Sequence, residues 1–457
     1  MKTKNSGDYM SEKLLTVKEF DVITCNCEYK KDKYLKYLPE QYFKEFDEFI
    51  RKQTLEEDES GTEYEALDFF KAYAKKGVGD VIQAKNYVGI VQLESGYQVQ
   101  VLPKIDFVDD DDPELSTSRV FINMLRSMRD FPGKVFNLAN LRTESMNIYE
   151  IFINMYVQQV SELTRRGLKS AYIRVEDNLN FYKGKLIVSE HIKKNMAHQE
   201  HFYVAYDEFN LNRPENKLIK ATLLKLQKIS SSSENVKAIR QLLIYFELVE
   251  PSINYEKDFS RVVIDRNTKG YEDIMIWSKV FLTNKSFSAF AGDTNARALL
   301  FPMEKVYESF VAQNMAMVFG ECGWDVTAQD RGYYLFEEDY RKIFALRPDI
   351  VVTRPDGHKI IMDTKWKRLN SNREMNYGIS QADMYQMFAY AKKYNTSDIW
   401  LLYPVTEEMK NSKDIVFHSY GPDGDVTVSV FFVDVVDIEK SLVKLREKLE
   451  VEDSVEI

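Results

Sequence analysis

The sequence contains few of the residues that build disulfide frameworks or zinc sites. Its 457 residues include three cysteines and five histidines. Cys25 and Cys27 stand close together, but no second ligand pair follows at zinc spacing, so we expect no structural zinc. So low a cysteine content is typical of proteins that work in a reducing compartment. We therefore expect a cytoplasmic protein.

Long apolar runs and nucleotide-binding loops are also missing. No run of about 18 apolar residues occurs, so no membrane span is expected, and residues 1–15 lack the apolar core of a signal peptide. The pattern G-x-x-x-x-G-K-[ST] is absent, because Gly133-Lys134 and Gly184-Lys185 lack its leading glycine and its Ser or Thr. If the protein works in a system driven by a nucleoside triphosphate, another chain binds the nucleotide.

The sequence has no excess of positive charge. Its 62 Lys and Arg residues face 72 Asp and Glu residues, which gives a formal net charge of −10. Proteins that bind DNA unaided usually carry a basic field. Any contact of this chain with DNA would therefore need a partner or a local patch, for which the candidates are Lys365, Lys367, Arg368 and Arg373.

The sequence does contain enough apolar material for several cores. Hydrophobic residues make up 44% and aromatic residues 13% of the chain, and a chain of this length forms two or three domains. We predict an α+β multidomain protein. A region of helices and β-hairpins covers residues 1–115, a middle α+β region covers residues 116–290, and a small mixed sheet flanked by helices forms within residues 291–457.

Periodicity predicts individual elements in the first half of the chain. Helical spacing of apolar residues predicts helices at residues 38–50 and 64–76. Alternating apolar residues predict a hairpin whose strands, residues 87–93 and 97–102, flank a turn that contains Glu94. A second hairpin is predicted within residues 175–188.

The segment of residues 347–368, RPDIVVTRPDGHKIIMDTKWKR, is the most informative of the chain. Two apolar and mostly β-branched runs flank residues 354–357, whose Pro and Gly favour a tight turn. A hairpin centred there places Asp349 opposite Asp363, to within one residue, with Cβ atoms about 4.5–5.5 Å apart. Because side chains alternate along a strand, Asp363 and Lys365 share one face.

Two opposed carboxylates repel each other, and a hard divalent cation between them removes the repulsion. Mg²⁺ typically takes one or two carboxylates, several waters and a substrate phosphate. We therefore expect Asp349 and Asp363 to bind Mg²⁺, with Mn²⁺ as the alternative. Lys365 would position a water or stabilise negative charge on the phosphoryl group, which is nuclease chemistry. The alternative is a surface hairpin whose charges merely face solvent.

Two predicted helices flank this hairpin. The first, residues 301–319, carries Glu304 and Glu308 four apart on one face, and either could add a carboxylate near the metal. The second, residues 381–394, carries Gln386 on its more polar side. For each of these side chains the alternative is a solvated helix face.

Five short segments of the chain resemble the McrC family, the nuclease subunit of McrBC-type restriction systems specific for 5-methylcytosine. In chain order they are NYVG with LPKI in residues 86–105, RGL with YKGKL in residues 166–186, DEF with PENKLIK in residues 207–220, a Tyr307-Glu308 pair in residues 303–311, and RPD with DTKWKR in residues 347–368. The ordered set spans residues 84–403 and is specific.

The resemblance implies a C-terminal PD-(D/E)xK restriction-endonuclease-like α/β/α core. Asp349 and Asp363 would hold the metal, Lys365 would be the catalytic lysine, and Glu308 and Gln386 match supporting positions. It further implies an N-terminal α/β docking region with β-hairpins, in which the middle region docks to an McrB-like AAA+ GTPase hexamer. That partner would bind GTP, and the substrate would be double-stranded DNA, modified and recognised by the partner. Residues 1–75 match no motif of the family.

Two other functions stay open at this stage. The chain could be a self-sufficient PD-(D/E)xK nuclease in DNA repair, which predicts cleavage with Mg²⁺ alone, but the acidic charge disfavours it. It could also be a non-catalytic scaffold that activates the GTPase. The intact Asp349, Asp363 and Lys365 disfavour that interpretation.

Overall fold

We describe the chain from a computed structural model. The described residues are 14–32, 34–58, 69–93, 95–105, 113–128, 147–198, 200–266, 268–283, 297–338, 340–410, 412–421 and 425–452. The predicted turn residue Glu94 and residues 64–68 of the second predicted helix lie outside the described residues.

Nineteen strands occur in the described residues. They are β1 Leu14–Lys18, β2 Val22–Thr24, β3 Leu35–Tyr37, β4 Phe70–Lys75, β5 Gly79–Ala84, β6 Tyr87–Gln92, β7 Gln98–Leu102, β8 Ala171–Leu179, β9 Lys185–Leu186, β10 Phe202–Asn210, β11 Arg297–Pro302, β12 Asp325–Ala328, β13 Tyr334–Glu338, β14 Arg341–Ala345, β15 Ile350–Thr353, β16 Lys359–Thr364, β17 Asp398–Pro404, β18 Ile415–Ser419 and β19 Val426–Val433.

Eleven α-helices occur in the same parts of the chain. They are α1 Glu40–Asp58, α2 Pro113–Leu125, α3 Ile148–Arg166, α4 Val188–Asn195, α5 Pro214–Ile229, α6 Ser233–Tyr245, α7 Tyr255–Phe259, α8 Glu272–Thr283, α9 Met303–Gly320, α10 Gln381–Tyr394 and α11 Ile438–Glu452. None of them is both long enough and apolar enough to cross a bilayer.

The N-terminal strands form two sheets. In one, β3, β2, β5 and β4 lie side by side, and in the other the order is β1, β7, β6, β11. The predicted hairpin at residues 87–102 is confirmed, because β6 and β7 pair antiparallel. Gly89 has a φ of 144°, and a Cβ added there would stand 1.8 Å from the Leu299 carbonyl oxygen of β11. Only glycine therefore lets β6 and β11 approach this closely.

This second sheet joins parts of the chain that are far apart in sequence. Its strand β11 comes from the start of the predicted region 291–457, and its strands β6 and β7 come from the predicted region 1–115. The division of the chain at residues 115 and 290 stays a prediction.

The middle of the chain is a group of packed helices with a small sheet attached. The Asn147 side chain accepts a hydrogen bond from the Glu150 backbone N–H and begins α3, and Gly167, with a φ of 86°, follows its end. The helices α3, α5, α6 and α8 bury their apolar faces in one core. The segment of residues 170–210, between α3 and α5, contains a three-stranded sheet in the order β8, β10, β9. We call this segment the excursion, because its side chains are absent from that core.

One buried side chain holds the two ends of this excursion together. The Asn216 amide donates hydrogen bonds to the Lys169 carbonyl oxygen at 3.0 Å and to the Leu211 carbonyl oxygen at 2.8 Å. Its own oxygen accepts from the Tyr271 hydroxyl at 3.0 Å. Asn216 is fully buried and belongs to the PENKLIK segment of the sequence. It fixes where the excursion of residues 170–210 begins and ends.

The C-terminal part is a six-stranded mixed sheet in the order β12, β15, β16, β17, β19, β18. The first three strands and the β18–β19 pair run antiparallel, whereas β17 runs parallel to both β16 and β19. Alternate side chains of β15, β16 and β17 pack against α9 and α11 on one face and against α10 on the other. The expectation of a small mixed sheet flanked by helices is confirmed.

Two local predictions are wrong. Residues 70–75 form strand β4 rather than a helix, since they pair antiparallel with β5. The predicted hairpin within residues 175–188 does not form as such, because β8 and β9 do not pair with each other and both pair with the later strand β10. The adjacent strand β5 decides the conformation of the first segment, and the later strand β10 decides the pairing in the second.

Candidate active site

The hairpin of β15 and β16 has the predicted register. Ile350 pairs with Met362 and Thr353 pairs with Lys359, so the next position outward sets Asp349 opposite Asp363. The turn closes through two backbone hydrogen bonds between residue 354 and residues 357 and 358, each 2.9 Å long. The two carboxylates therefore meet at the end of the hairpin remote from the turn, between α9 and α10.

Asp349 is fixed by the facing strand. Thr364 donates its backbone N–H and its hydroxyl to Asp349 Oδ2, at 2.8 and 2.7 Å. The Asp349 carbonyl oxygen accepts from the Gln329 backbone N–H at 2.8 Å. Burial raises the pKa of Asp349 above its ordinary value, although both hydrogen bonds from Thr364 oppose this shift.

Asp363 is almost completely buried, with 2% of its surface exposed. Lys365 Nζ lies 2.7 Å from Asp363 Oδ2, so the two residues share a face as expected. Apart from this contact, no donor among the described residues meets Oδ2. Burial and the charge of Asp349 raise the pKa of Asp363 to about 7.

Lys365 is held between three acceptors. Besides Asp363, its ammonium donates to Gln386 Oε1 at 3.2 Å and lies 3.8 Å from Asp383 Oδ1. Burial lowers the pKa of Lys365, but the charges of Asp363 and Asp383 outweigh burial and leave the pKa above its ordinary value. Lys365 is therefore a cation at neutral pH.

The predicted residue Gln386 lies beside Lys365, on α10. Its amide group donates to the Tyr390 hydroxyl at 2.8 Å, and this hydroxyl donates to the Arg347 carbonyl oxygen at 3.0 Å. The chain of hydrogen bonds connects Lys365 to the residue two positions before Asp349. It orients the Gln386 amide so that its oxygen faces the ammonium.

The predicted residue Glu308 lies on α9, on the other side of Asp349. Gln329 donates its side-chain amide to Glu308 Oε1 at 2.7 Å while its backbone holds the Asp349 carbonyl. Burial and the charge of Asp349 raise the pKa of Glu308 to about 7. The neighbouring candidate Glu304 is exposed. The structure thus brings Asp349, Asp363, Lys365, Glu308 and Gln386 to one end of the sheet.

Three further residues of this cluster were missed from the sequence. Gln329 links α9 to Asp349 through a backbone with a φ of 49°, Thr364 holds Asp349, and Asp383 pairs with Lys365 and, at 2.9 Å, with Lys367 Nζ. Thr364 and Lys367 lie in the segment that predicted the site, but Gln329 and Asp383 carry no local signal. Only the folded arrangement of β12 and α10 brings them there.

The donor set fits a hard divalent cation. Among the described residues, no group of three or more His, Cys, Asp or Glu side chains is arranged to hold a metal ion. Mg²⁺ needs only one or two carboxylates, because waters and substrate complete its shell. Asp349 and Asp363 offer two opposed carboxylates, and Asp363 Oδ2 is a buried acceptor without a hydrogen bond from any described donor. These two residues would hold the ion.

Comparison with solved structures finds the same fold. A chain of the refined half-complex from the tetradecameric assembly of Thermococcus gammatolerans McrB AAA+ hexamers with bound McrC superposes with a TM-score of 0.65 and 18% identity, over 96% of this chain and 99% of that chain. A chain of the cryo-EM structure of the Thermococcus gammatolerans McrBC complex gives a TM-score of 0.45 and 20% identity, over 67% and 88% of the two chains. No curated protein matches the sequence.

Comparison with protein families finds a match over most of the chain. The family described as McrBC 5-methylcytosine restriction system component matches residues 82–404. This span contains the five segments that suggested the resemblance and all of the candidate site residues. The chain belongs to the McrBC 5-methylcytosine restriction system component family.

Proposed function

We propose that this chain is the endonuclease subunit of an McrBC-type restriction system and that its C-terminal sheet is a PD-(D/E)xK core. The observation that carries the proposal is the pair of opposed carboxylates, Asp349 and Asp363, with the Lys365 ammonium 2.7 Å from the second of them. A purely structural hairpin has no reason to bury two carboxylates face to face. Membership of the family supports the same conclusion.

Each residue would have a distinct part in phosphodiester hydrolysis. Mg²⁺, or Mn²⁺ in its place, would polarise the phosphoryl group when bound by Asp349 and Asp363. Lys365 stays protonated and would stabilise the negative charge that develops on the phosphate oxygens. Gln386 would keep the ammonium aimed at the site through its hydrogen bond. Glu308, with a pKa raised to about 7, can exchange a proton with water at neutral pH.

We infer that docking uses the excursion of β8, α4 and β10. Aromatic rings stand in solvent along this small sheet: Tyr172 is 75% exposed, Phe209 62%, and Phe181 and Tyr182 60% each. The rings of Tyr172 and Phe209 lie 5.1 Å apart. Exposed aromatic side chains of this kind are enriched at protein interfaces.

The proposed occupant of this surface is an McrB-like AAA+ GTPase hexamer. The Thermococcus structure with the same fold is titled as McrB AAA+ hexamers with bound McrC. The present chain lacks a P-loop and carries a net charge of −10. The partner would therefore supply GTP binding and most of the contact with DNA, and this chain would stimulate its GTPase. The substrate would be double-stranded DNA that carries 5-methylcytosine, in the cytoplasm.

Cleavage of methylated and unmethylated plasmid with Mg²⁺ tests the proposal. The chain is assayed alone and together with an McrB-like GTPase from the same organism, with and without GTP. We expect cleavage only with partner and GTP, and loss of cleavage in Asp363→Ala. Asp356→Ala is the matched control, because it removes a carboxylate from the turn at the opposite end of the same hairpin.

The other outcomes distinguish the competing functions. Cleavage by the chain alone would favour a self-sufficient nuclease. Stimulated GTP hydrolysis without cleavage of either plasmid, in a complex shown to bind DNA, would favour a non-catalytic scaffold.

A further inference from the structure

The buried carboxylate Glu19 lies outside the candidate active site and contacts Trp366, which follows strand β16. Glu19 follows β1 and is 3% exposed. Its Oε2 accepts hydrogen bonds from the Trp366 indole N–H and from the Lys104 backbone N–H, each 2.9 Å long. Glu19 and Trp366 are 347 residues apart in the sequence. The first described strand of the chain therefore reaches the residue directly after Lys365.

Lys104 closes this network from the other side. Its ammonium donates to the Trp366 carbonyl oxygen at 2.8 Å and lies 4.9 Å from the centre of the Phe20 ring. Lys104 is the lysine of the LPKI segment, a motif of the sequence that the active site does not use. Trp366 is thus held at its indole by Glu19 and at its backbone by Lys104.

Trp366 also touches the helix that carries Glu308. Its ring lies 5.3 Å from the ring of Tyr307, which is fully buried on α9. The backbone N–H of Lys365 donates to the Leu402 carbonyl oxygen of β17 at 2.9 Å. The backbone of residues 365–366 is therefore fixed by β17 and Lys104, and the adjoining indole is fixed by Glu19 and Tyr307.

A buried carboxylate is a costly group with which to hold two N–H donors, because burial disfavours its charge. Burial does raise the pKa of Glu19, and the charge of Lys104 opposes this shift. Its second oxygen, Oε1, is buried and receives no hydrogen bond from any described residue. Stability alone would be served as well by an apolar contact at this point. What a carboxylate adds is direction, since the charge-assisted hydrogen bond to the indole fixes the orientation of Trp366.

We propose that Glu19, Lys104 and Trp366 form a positioning network through which the N-terminal strand fixes the backbone of residues 365–367 and so aims Lys365 at Asp363. Glu19 is a positioning residue, because it contacts neither Lys365 nor the two aspartates. The catalytic part of this inference rests on the proposed nuclease function. It also assigns a task to residues 14–20 and to the LPKI segment.

The test compares Glu19→Ala with Glu19→Gln in the complete complex of nuclease, GTPase, GTP and methylated DNA. A displacement of about 1 Å at a catalytic group can cost roughly 10²-fold in rate. We expect Glu19→Ala to lower kcat about 10- to 100-fold with KM for DNA unchanged. Glu19→Gln should stay within about threefold of the wild type, because its amide oxygen can accept the same two hydrogen bonds.

Val17→Ala is the matched control for a merely structural role. Val17 is fully buried on β1 and packs in a core that does not include Trp366. It should lower the melting temperature and leave kcat within about twofold, since cavity formation costs stability without moving Lys365. An equal loss of kcat in Val17→Ala and Glu19→Ala, or an unchanged kcat in Glu19→Ala, would overturn the proposal.

Trp366→Phe provides a second variant if Glu19→Ala does not fold. It removes the indole N–H and keeps an aromatic ring against Tyr307. We expect the same fall in kcat as for Glu19→Ala, because the change removes the hydrogen bond to Glu19, and an unchanged kcat in Trp366→Phe would overturn the proposal. Where both single variants fold, combining Trp366→Phe with Glu19→Ala should cause no further fall, because the two changes remove one interaction. Additive losses would contradict a shared network.

Amide hydrogen exchange of peptides that cover residues 363–368 separates this inference from the nuclease proposal. Exchange should be faster in Glu19→Ala and unchanged in Val17→Ala, whether or not the complex cuts DNA. If the wild type never cuts and this difference in exchange appears, the network holds the segment and the nuclease function is what fails. If exchange is the same in both variants, the network does not hold the segment.

Discussion

Two β-structures of this molecule depart from the usual rule that charged side chains are exposed and large apolar side chains are buried. The β15–β16 hairpin buries charge, with Asp363 2% exposed and Lys365 beside it, whereas the β8–β10 pair exposes aromatic rings, with Tyr172 75% exposed. Buried charge and exposed large apolar surface are the two observations about burial that carry information on function. The contrast supports the proposal that chemistry and docking occupy separate elements. Substitutions confined to one of the two elements test this separation.

Removal of a carboxylate from the buried pair should have the largest effect. Asp363→Ala deletes one of the two proposed metal-binding groups and leaves Lys365 without its closest counter-charge. Because metal-based charge stabilisation is worth several kcal/mol, we expect cleavage to fall by at least about 10³-fold. GTPase stimulation should persist, because β8 and β10 are untouched. Lost stimulation in a folded Asp363→Ala protein would disprove the separation of chemistry and docking.

Removal of the exposed ring pair should weaken binding to the GTPase and leave Mg²⁺ binding unchanged. Tyr172→Ala combined with Phe209→Ala should weaken binding to the GTPase by about 10- to 100-fold, because a few aromatic residues carry most of the energy of an interface. Binding of Mg²⁺ to the isolated chain, measured by calorimetry, should not change. Tyr420→Ala is the control, since Tyr420 is equally exposed, at 78%, and lies far along the chain from this sheet. An equal loss of affinity in the control would contradict the proposed docking surface.

The binding of Mg²⁺ should depend on pH near neutrality. The pKa values of Asp363 and Glu308 are raised to about 7 in the folded chain, from ordinary values of 3.8 and 4.5. The metal-free fold therefore loses stability as the pH rises through about 7, because the protonated forms that it favours disappear. Mg²⁺ held by Asp349 and Asp363 would have to displace the proton of Asp363, so we expect it to bind more tightly as the pH rises.

This dependence can be measured by thermal unfolding. We expect Mg²⁺ to raise the melting temperature more at pH 8 than at pH 6, and the metal-free protein to melt at a lower temperature at pH 8 than at pH 6. In Asp363→Asn, the rise in melting temperature caused by Mg²⁺ should differ much less between pH 6 and pH 8. A stabilisation by Mg²⁺ that is the same at both pH values would contradict the raised pKa values.

Removal of the amide that orients Lys365 should have the smallest effect. Gln386→Ala deletes one neutral hydrogen bond to a lysine that keeps two carboxylate neighbours. We expect cleavage to fall about three- to tenfold, which corresponds to the roughly 0.5–1.5 kcal/mol of one ordinary hydrogen bond. Gln381→Ala on the same helix is the control and should have no effect. A loss as large as that of Asp363→Ala would give Gln386 a direct part in the chemistry.

The sequence predicted the hairpin of the active site because its information is local there. Two apolar runs, a Pro-Asp-Gly turn and a carboxylate on either strand set the register without help from the rest of the chain. Residues 175–188 show the reverse case. Their pattern predicts a local hairpin, but β8 and β9 pair with the later strand β10 and not with each other.

The contacts that complete the site could not be predicted, because each joins separate segments. Gln329 reaches Glu308 from 21 residues away, and Glu19 reaches Trp366 from 347 residues away. Neither spacing forms a pattern along the sequence. Glu308 and Gln386 were found because the family resemblance marks their positions, whereas Gln329, Asp383 and Glu19 lie in segments without a matched motif or without a signal of their own.

The hydrogen bonds of the Asn216 amide affect how the sequence of this protein can evolve. One side chain joins the entry and the exit of residues 170–210, and the surface between these two points contributes little to the cores on which the nuclease sheet depends. Substitutions, insertions or a transplanted stretch from a relative can therefore be accepted there as a cassette. With the proposed docking surface in this cassette, new pairings with a partner can arise by drift there, while the candidate active site stays under its own selection.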